Sequence, residues 1–139
     1  MLFRSLDVCD SSKTLLVATE NGYGKRTSFD DYRQTHRGGM GVTAIKGADR
    51  NGRIVAAHAV SEDESIISIT SDAQMVRSPV RDIGVYGRSA QGVRLVRLSE
   101  GAKLVSVSVC ESEDEAKEEL KEAVSEGSAP AADETQTEN

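Results

Sequence analysis

The chain has 139 residues, 37% of them hydrophobic and 4% aromatic, with no tryptophan. That length suits one small domain, so few aromatics argue against one large core, and no run reaches the roughly 20 apolar residues of a membrane span. The charge of −6 joins two unlike parts: residues 1–110 carry 15 Lys/Arg and 12 Asp/Glu, a surplus of +3, whereas residues 111–139 carry 2 Lys and 11 Asp/Glu, or −9.

A mildly basic body with an acidic tail points to a polyanion as the body's partner and to a solubilising or autoinhibitory tail. A merely solvated tail explains the composition equally well. Met1-Leu2-Phe3 is followed at once by Arg4, so no signal peptide is expected, and the chain reads as cytoplasmic with no membrane partner. Cys9 and Cys110 form neither a CxxC pair nor a zinc-ligand spacing and read as reduced thiols.

Leu6 and Val8 resemble the closing strand of a preceding unit, residues 1–10. Thr14-Leu-Leu-Val-Ala-Thr19 then reads as a buried strand, and Ser65-Ile-Ile-Ser-Ile-Thr70 repeats it 51 residues later. At that fixed offset Thr19, Arg26, Asp31, Arg37, Gly41 and Val42 fall on Thr70, Arg77, Asp82, Arg88, Gly92 and Val93. Lys46 falls on Arg97, which preserves charge. The body is thus two copies of one β-rich repeat, residues 11–60 and 61–110.

Each copy reads as four short antiparallel strands: 14–19, 25–28, 42–46 and 53–60 in the first, and 65–70, 75–78, 93–97 and 103–109 in the second. Asn51-Gly52 is a type I′ hairpin signal between the last two strands of copy one. Four-stranded units with a period near 50 predict an all-β, propeller-like array. In the tail, Ser112-Glu-Asp-Glu115 fits a capping box, with Ala116, Leu120 and Val124 as a thin stripe for a short helix. Residues 127–139 read as disordered.

No HExxH, GxSxG, Walker A or GxGxxG pattern is present. His36 and His58 stand alone, and Asp30-Asp31 and Glu62-Asp63-Glu64 read as solvated turns. No catalytic residue, metal or cofactor is expected. The chemistry lies in Arg, Lys and Gly. Lys25 and Arg26 follow a tight turn. Arg33, Arg37, Gly38, Gly39 and Gly41 form a flexible basic loop, followed by Lys46. Copy two offers Arg77, Arg81, Arg88, Arg94 and Arg97. Glycines let a partner's backbone approach, and guanidinium groups suit phosphate oxygens. Repeated at this period, the set suits a bent polyphosphate backbone rather than base reading. A mixed surface in which these cations balance nearby acids is the plain alternative.

Thr19-Glu-Asn-Gly-Tyr-Gly-Lys-Arg-Thr27, Tyr32-Arg33, Arg37-Gly-Gly-Met-Gly-Val42 and Ala44-Ile-Lys46 resemble a late blade of the C-terminal domain of the DNA gyrase A protein. Ile83-Gly-Val-Tyr-Gly-Arg88 with Ala90-Gln-Gly-Val-Arg-Leu95 resembles the blade after it. The resemblance spans about residues 6–109. It implies a β-pinwheel, a ring of about six four-stranded blades whose basic rim binds and wraps double-stranded DNA without sequence preference. This chain would supply two blades of a partial ring and an acidic tail, 111–139. The implied partners are DNA, the remaining gyrase A blades and gyrase B. In the family, the cleaving tyrosine, metal site and ATPase lie elsewhere in the holoenzyme, which drives ATP-dependent negative supercoiling.

Two departures stand out. The family's hallmark box, Q-R/K-R-G-G-R/K-G, is reduced here to Thr35-His-Arg-Gly-Gly-Met-Gly41, which keeps Arg37, Gly38, Gly39 and Gly41. Only two blades are present. The corresponding C-terminal piece of topoisomerase IV is the rival of the same class. A propeller-type protein-interaction module without DNA binding is the rival of another.

Overall fold

The computed structural model describes residues 5–111. Seven strands run in chain order: β1 (Thr14–Thr19), β2 (Tyr23–Ser28), β3 (Ile54–Val60), β4 (Ser65–Thr70), β5 (Met75–Pro79), β6 (Val93–Arg94) and β7 (Leu104–Cys110). A single helical turn, α1 (Ala48–Asn51), precedes β3, and one-turn 3-10 segments follow β2 and β5. The fold is all-β, as the repeated strand-like runs predict.

β1 sits at the centre of sheet one. It pairs antiparallel with β2 from Thr14↔Ser28 to Ala18↔Gly24 and with β3 from Thr14↔Val60 to Thr19↔Ile54. β4 plays the same part in sheet two, between β5 and β7. The repeat is visible in single hydrogen bonds. Gly22 N donates to Thr19 O at 3.0 Å and Ala73 N to Thr70 O at 3.1 Å. Thr19 Oγ1 donates to Tyr23 O at 2.8 Å, and Thr70 Oγ1 to Gln74 O at 3.2 Å. The same threonine hydroxyl therefore closes the same turn twice.

The third strand of each copy departs from the sequence reading. Residues 42–46 form no strand, and of 93–97 only Val93–Arg94 does. β6 pairs with β2 of the first copy, Tyr23↔Arg94 and Gly24↔Val93, not with its own sheet. Sheet one is consequently four-stranded, in the order β3-β1-β2-β6, and sheet two three-stranded, β5-β4-β7. Close contact is possible because of glycine: a Cβ on Gly92 would stand 2.6 Å from Gly24 O, and one on Gly22 2.6 Å from Val96 O.

The Asn51-Gly52 hairpin is also absent. Asn51 instead ends α1, buried, its side-chain amide donating to Lys46 O at 2.8 Å and Gln91 O at 2.7 Å. Those partners, one of them forty residues away, outweigh the local turn preference. Nor do Leu6 and Val8 form a strand; they are 93% and 78% exposed. Their segment is tied to β3 through Asp7 Oδ2, which accepts from Ala59 N at 2.8 Å, and through Ser5 Oγ, which donates to Ala57 O. The tail readings lie outside the described residues.

One core joins the sheets. Leu16, Ala18, Ala56 and Val60 from sheet one pack with Ile66, Leu104 and Val107 from sheet two and with Val80 and Ile83. Across this seam His58 Nε2 lies 2.9 Å from Val107 O, and Leu104 N donates to Glu20 O at 2.8 Å. At roughly 25 cal/mol per Å² of apolar burial, such a shared core makes either sheet alone a poor folding unit.

Candidate nucleic-acid interface

The cations named in the sequence divide into two kinds. Lys25 and Arg26 are interior. Lys25 is 0% exposed, and its Nζ donates to Gly87 O at 2.7 Å and Arg88 O at 2.6 Å. Burial, then the neighbouring charge of Arg88, holds its ammonium below the usual lysine range. Arg26 is 3% exposed; its Nε donates to Ile83 O at 2.6 Å, and Nη1 lies 3.5 Å from Glu62 Oε1. Its backbone joins the same segment, Tyr86 N donating to Arg26 O at 2.8 Å. These two side chains clamp the second copy's loop, residues 83–88, onto β2. Buried and turned toward these partners, both are withdrawn from the set that could meet phosphate. The mixture of Gly, Lys and Arg reads as surface; only the loop that folds over it, about sixty residues later, buries it.

The other kind is exposed. Arg33, Arg37, Lys46, Arg94 and Arg97 are exposed, Arg77 likewise, and Arg88 is half-buried. Arg77 Nη2 donates to Glu111 O, and Arg88 Nη1 to Thr43 O at 2.9 Å. Neither Arg33 nor Arg37 has a side-chain hydrogen bond or ion pair among the described residues. Between Arg37 and Val42 the chain stands clear: Gly38 and Gly41 take φ of 78° and 74°, and a Cβ on either would meet no atom within 4 Å. Gly39 is exposed beside them. The basic loop of copy one is thus open, while its counterpart in copy two is docked on β2.

A third group was missed in the sequence. Arg50, not singled out in the sequence, places its guanidinium carbon 4.3 Å from the centroid of the Tyr23 ring. Arg94 approaches the same ring to 5.5 Å, and its Nη2 donates to the Tyr23 hydroxyl at 3.1 Å. The pairing Tyr23↔Arg94, invisible before β6 was seen to cross between copies, creates this cluster. Among the described residues no group of three or more His, Cys, Asp and Glu is placed to hold a metal, and no described helix is long and apolar enough to cross a membrane.

A pair of small antiparallel sheets, repeated along the chain and laced by a strand from the next repeat, defines propeller blades of the strand-exchanging, pinwheel kind. A family model described as "DNA gyrase C-terminal domain, beta-propeller" matches twice, over residues 13–61 and 64–111. The chain belongs to the DNA gyrase A C-terminal domain family. It is 45% identical over 107 residues to the DNA gyrase A protein of Neisseria gonorrhoeae, covering 76% of this chain and 12% of that protein. Against the gyrase A protein of Haemophilus influenzae it is 40% identical over 123 residues, 88% of this chain and 14% of that one. The chain therefore spans about an eighth of the curated relatives it matches. A solved DNA gyrase A C-terminal domain superposes with a TM-score of 0.68 at 33% identity, covering 73% of this chain and 34% of that one. The C-terminal domain of DNA topoisomerase IV superposes at 0.70 with 21% identity, over 86% and 37%, a likeness of fold alone.

Proposed function

We propose that this chain contributes two blades of a DNA-binding pinwheel, holding the backbone of double-stranded DNA without sequence preference, within a gyrase A protein that wraps DNA for negative supercoiling. The observation that carries the reading is the open loop of copy one: Arg33 and Arg37 lack protein partners among the described residues, and Gly38 and Gly41 stand clear of every neighbour. An arginine with free N–H groups beside unobstructed backbone fits phosphate oxygens. Lys46, Arg88, Arg94 and Arg97 extend the set, with the remaining blades and gyrase B as partners in the holoenzyme. Chemistry on DNA then belongs to other parts of that enzyme, and this piece acts in the cytoplasm without catalysis of its own. Identity of 33% against 21% favours gyrase over topoisomerase IV as the context.

Titrating a duplex with the full chain at salt from about 50 to 200 mM tests this. Affinity should fall with a log–log slope of about −0.9 per phosphate contacted. Binding indifferent to salt, or absent at the lowest salt, overturns the reading and favours a protein-interaction module.

A further inference from the structure

Tyr23, Arg50 and Arg94 form a cluster whose parts come from both repeats. Tyr23 and Arg50 belong to the first, Arg94 to the second. At the fixed offset of the repeat, Tyr23 falls on Gln74 and Arg94 on Thr43, so the arrangement is built once, where β6 crosses onto β2.

Arg50 is fixed from beneath. Its Nε donates to Asn51 Oδ1 at 3.0 Å, and its Nη2 to Gln91 O at 2.9 Å and Gly92 O at 3.1 Å. Asn21 Nδ2 donates to Arg50 O at 2.8 Å. Asn51 is itself buried. These bonds latch β6 in place, yet they leave much unused. Both Nη1 groups and the Nε of Arg94 make no hydrogen bond among the described residues, and neither arginine pairs with a carboxylate there. The Tyr23 hydroxyl accepts from Arg94, so its own O–H is left to donate.

We infer that Tyr23, Arg50 and Arg94 form a preformed seat for one phosphodiester group of DNA at the seam between the blades. Two guanidinium groups supply charge, and the tyrosine hydroxyl supplies a third donor. The ring holds both cations near it, so ordering them on binding costs little side-chain entropy. Positive potential at the site already acts on the tyrosine: the Arg94 hydrogen bond, then the charges of Arg94 and Arg50, pull its hydroxyl below the usual phenol range. Because the seat exists only when β6 is docked, an occupying phosphate also stabilises the seam by linkage. The inference rests on the DNA-binding reading above and assigns a specific place to one of its contacts.

The test is duplex binding by the full chain carrying Arg94→Gln, Arg94→Lys or Tyr23→Phe, with thermal unfolding measured in parallel. Arg94→Gln should reduce the salt slope by about 0.9. Tyr23→Phe, which keeps the ring, should weaken binding roughly two- to tenfold at low salt without altering that slope. Arg94→Lys should restore the slope but not the full affinity. Wild-type slope and affinity in both Arg94→Gln and Tyr23→Phe, while the parent chain binds DNA normally, would overturn the seat and leave the wider reading intact. A parent chain that does not bind overturns both. Should Arg94→Gln unfold, Tyr23→Phe decides alone, wild-type affinity going against the seat.

Discussion

β2 and β5 are the same strand of the repeat, and they meet opposite fates. On β2 the sequence Gly24-Lys25-Arg26 is buried beneath the second copy's loop and strand; on β5 the matching Met75-Val76-Arg77 forms an outer edge, with Met75 68% exposed. Where β2 is reached through Gly22 and Gly24, β5 presents Ala73 and Met75. Ala73 holds a left-handed φ of 61°, close to the 81° of Gly22. A Cβ on Gly22 would stand 2.6 Å from Val96 O of the docked segment, and one on Gly24 2.4 Å from Leu95 Cδ1. The same strand therefore receives a neighbour when it carries glycines and presents side chains when it does not. Side chains that block an edge guard a sheet against unwanted pairing.

The largest test of this contrast copies β5 onto β2. Gly24→Met also drives a Cβ to 2.3 Å from Val17 O of its own sheet, and should lower stability by about 3 kcal/mol or unfold the chain, whereas Met75→Gly should cost roughly 1 kcal/mol. Chemical denaturation of the two variants compares them. Next is the arginine pair. Arg26→Ala leaves Ile83 O without its donor and opens a gap in the seam, a loss of about 2–4 kcal/mol. Arg77→Ala should fall within about 0.5 kcal/mol. Equal costs for the pair would break the contrast.

The lysine gives a pH signature. Its folded-state pKa lies below the ordinary 10.5, so the unfolded chain binds more protons between the two values, and stability should rise with pH across that interval. The penalty is complete below the folded-state pKa and gone above the unfolded one. Lys25→Met should flatten this alkaline rise relative to the parent; an identical rise in both would mean the ammonium is not strained by burial. Arg33→Gln with Arg37→Gln should leave stability within about 0.5 kcal/mol, yet reduce the DNA salt slope by roughly 2 if each meets a phosphate. Last, Ala73→Gly with Met75→Gly should unblock the β5 edge, and ultracentrifugation should then show concentration-dependent association absent in the parent.

Much of the fold was legible because it is local. The short apolar runs Thr14–Thr19 and Ser65–Thr70 marked β1 and β4 to the residue, and the fixed offset between copies marked the repeat. What escaped depends on distant partners. Residues 93–97 read as strand, but nothing in their pattern says which sheet they join. Lys25 and Arg26 read as surface cations because burial of a charge requires carbonyls that arrive from residues 83–88. Arg50 carried no signal, since its role depends on Tyr23 and on a strand from the other copy. The exposed loop of Arg33 and Arg37 was legible, because glycine and arginine without apolar neighbours have nowhere to be buried.

The crossing of β6 also sets an order in time. Sheet one lacks its last strand until residue 94 has been made, and Lys25 and Arg26 lack their carbonyl partners until residues 83–88 exist. A growing chain thus carries its first blade unfinished through synthesis of most of the second. Closure runs from the later repeat back onto the earlier one, joining residues about seventy positions apart. Contacts of that separation slow folding, and a ribosome stalled within the second repeat would hold a first blade with an open, pairing-competent edge.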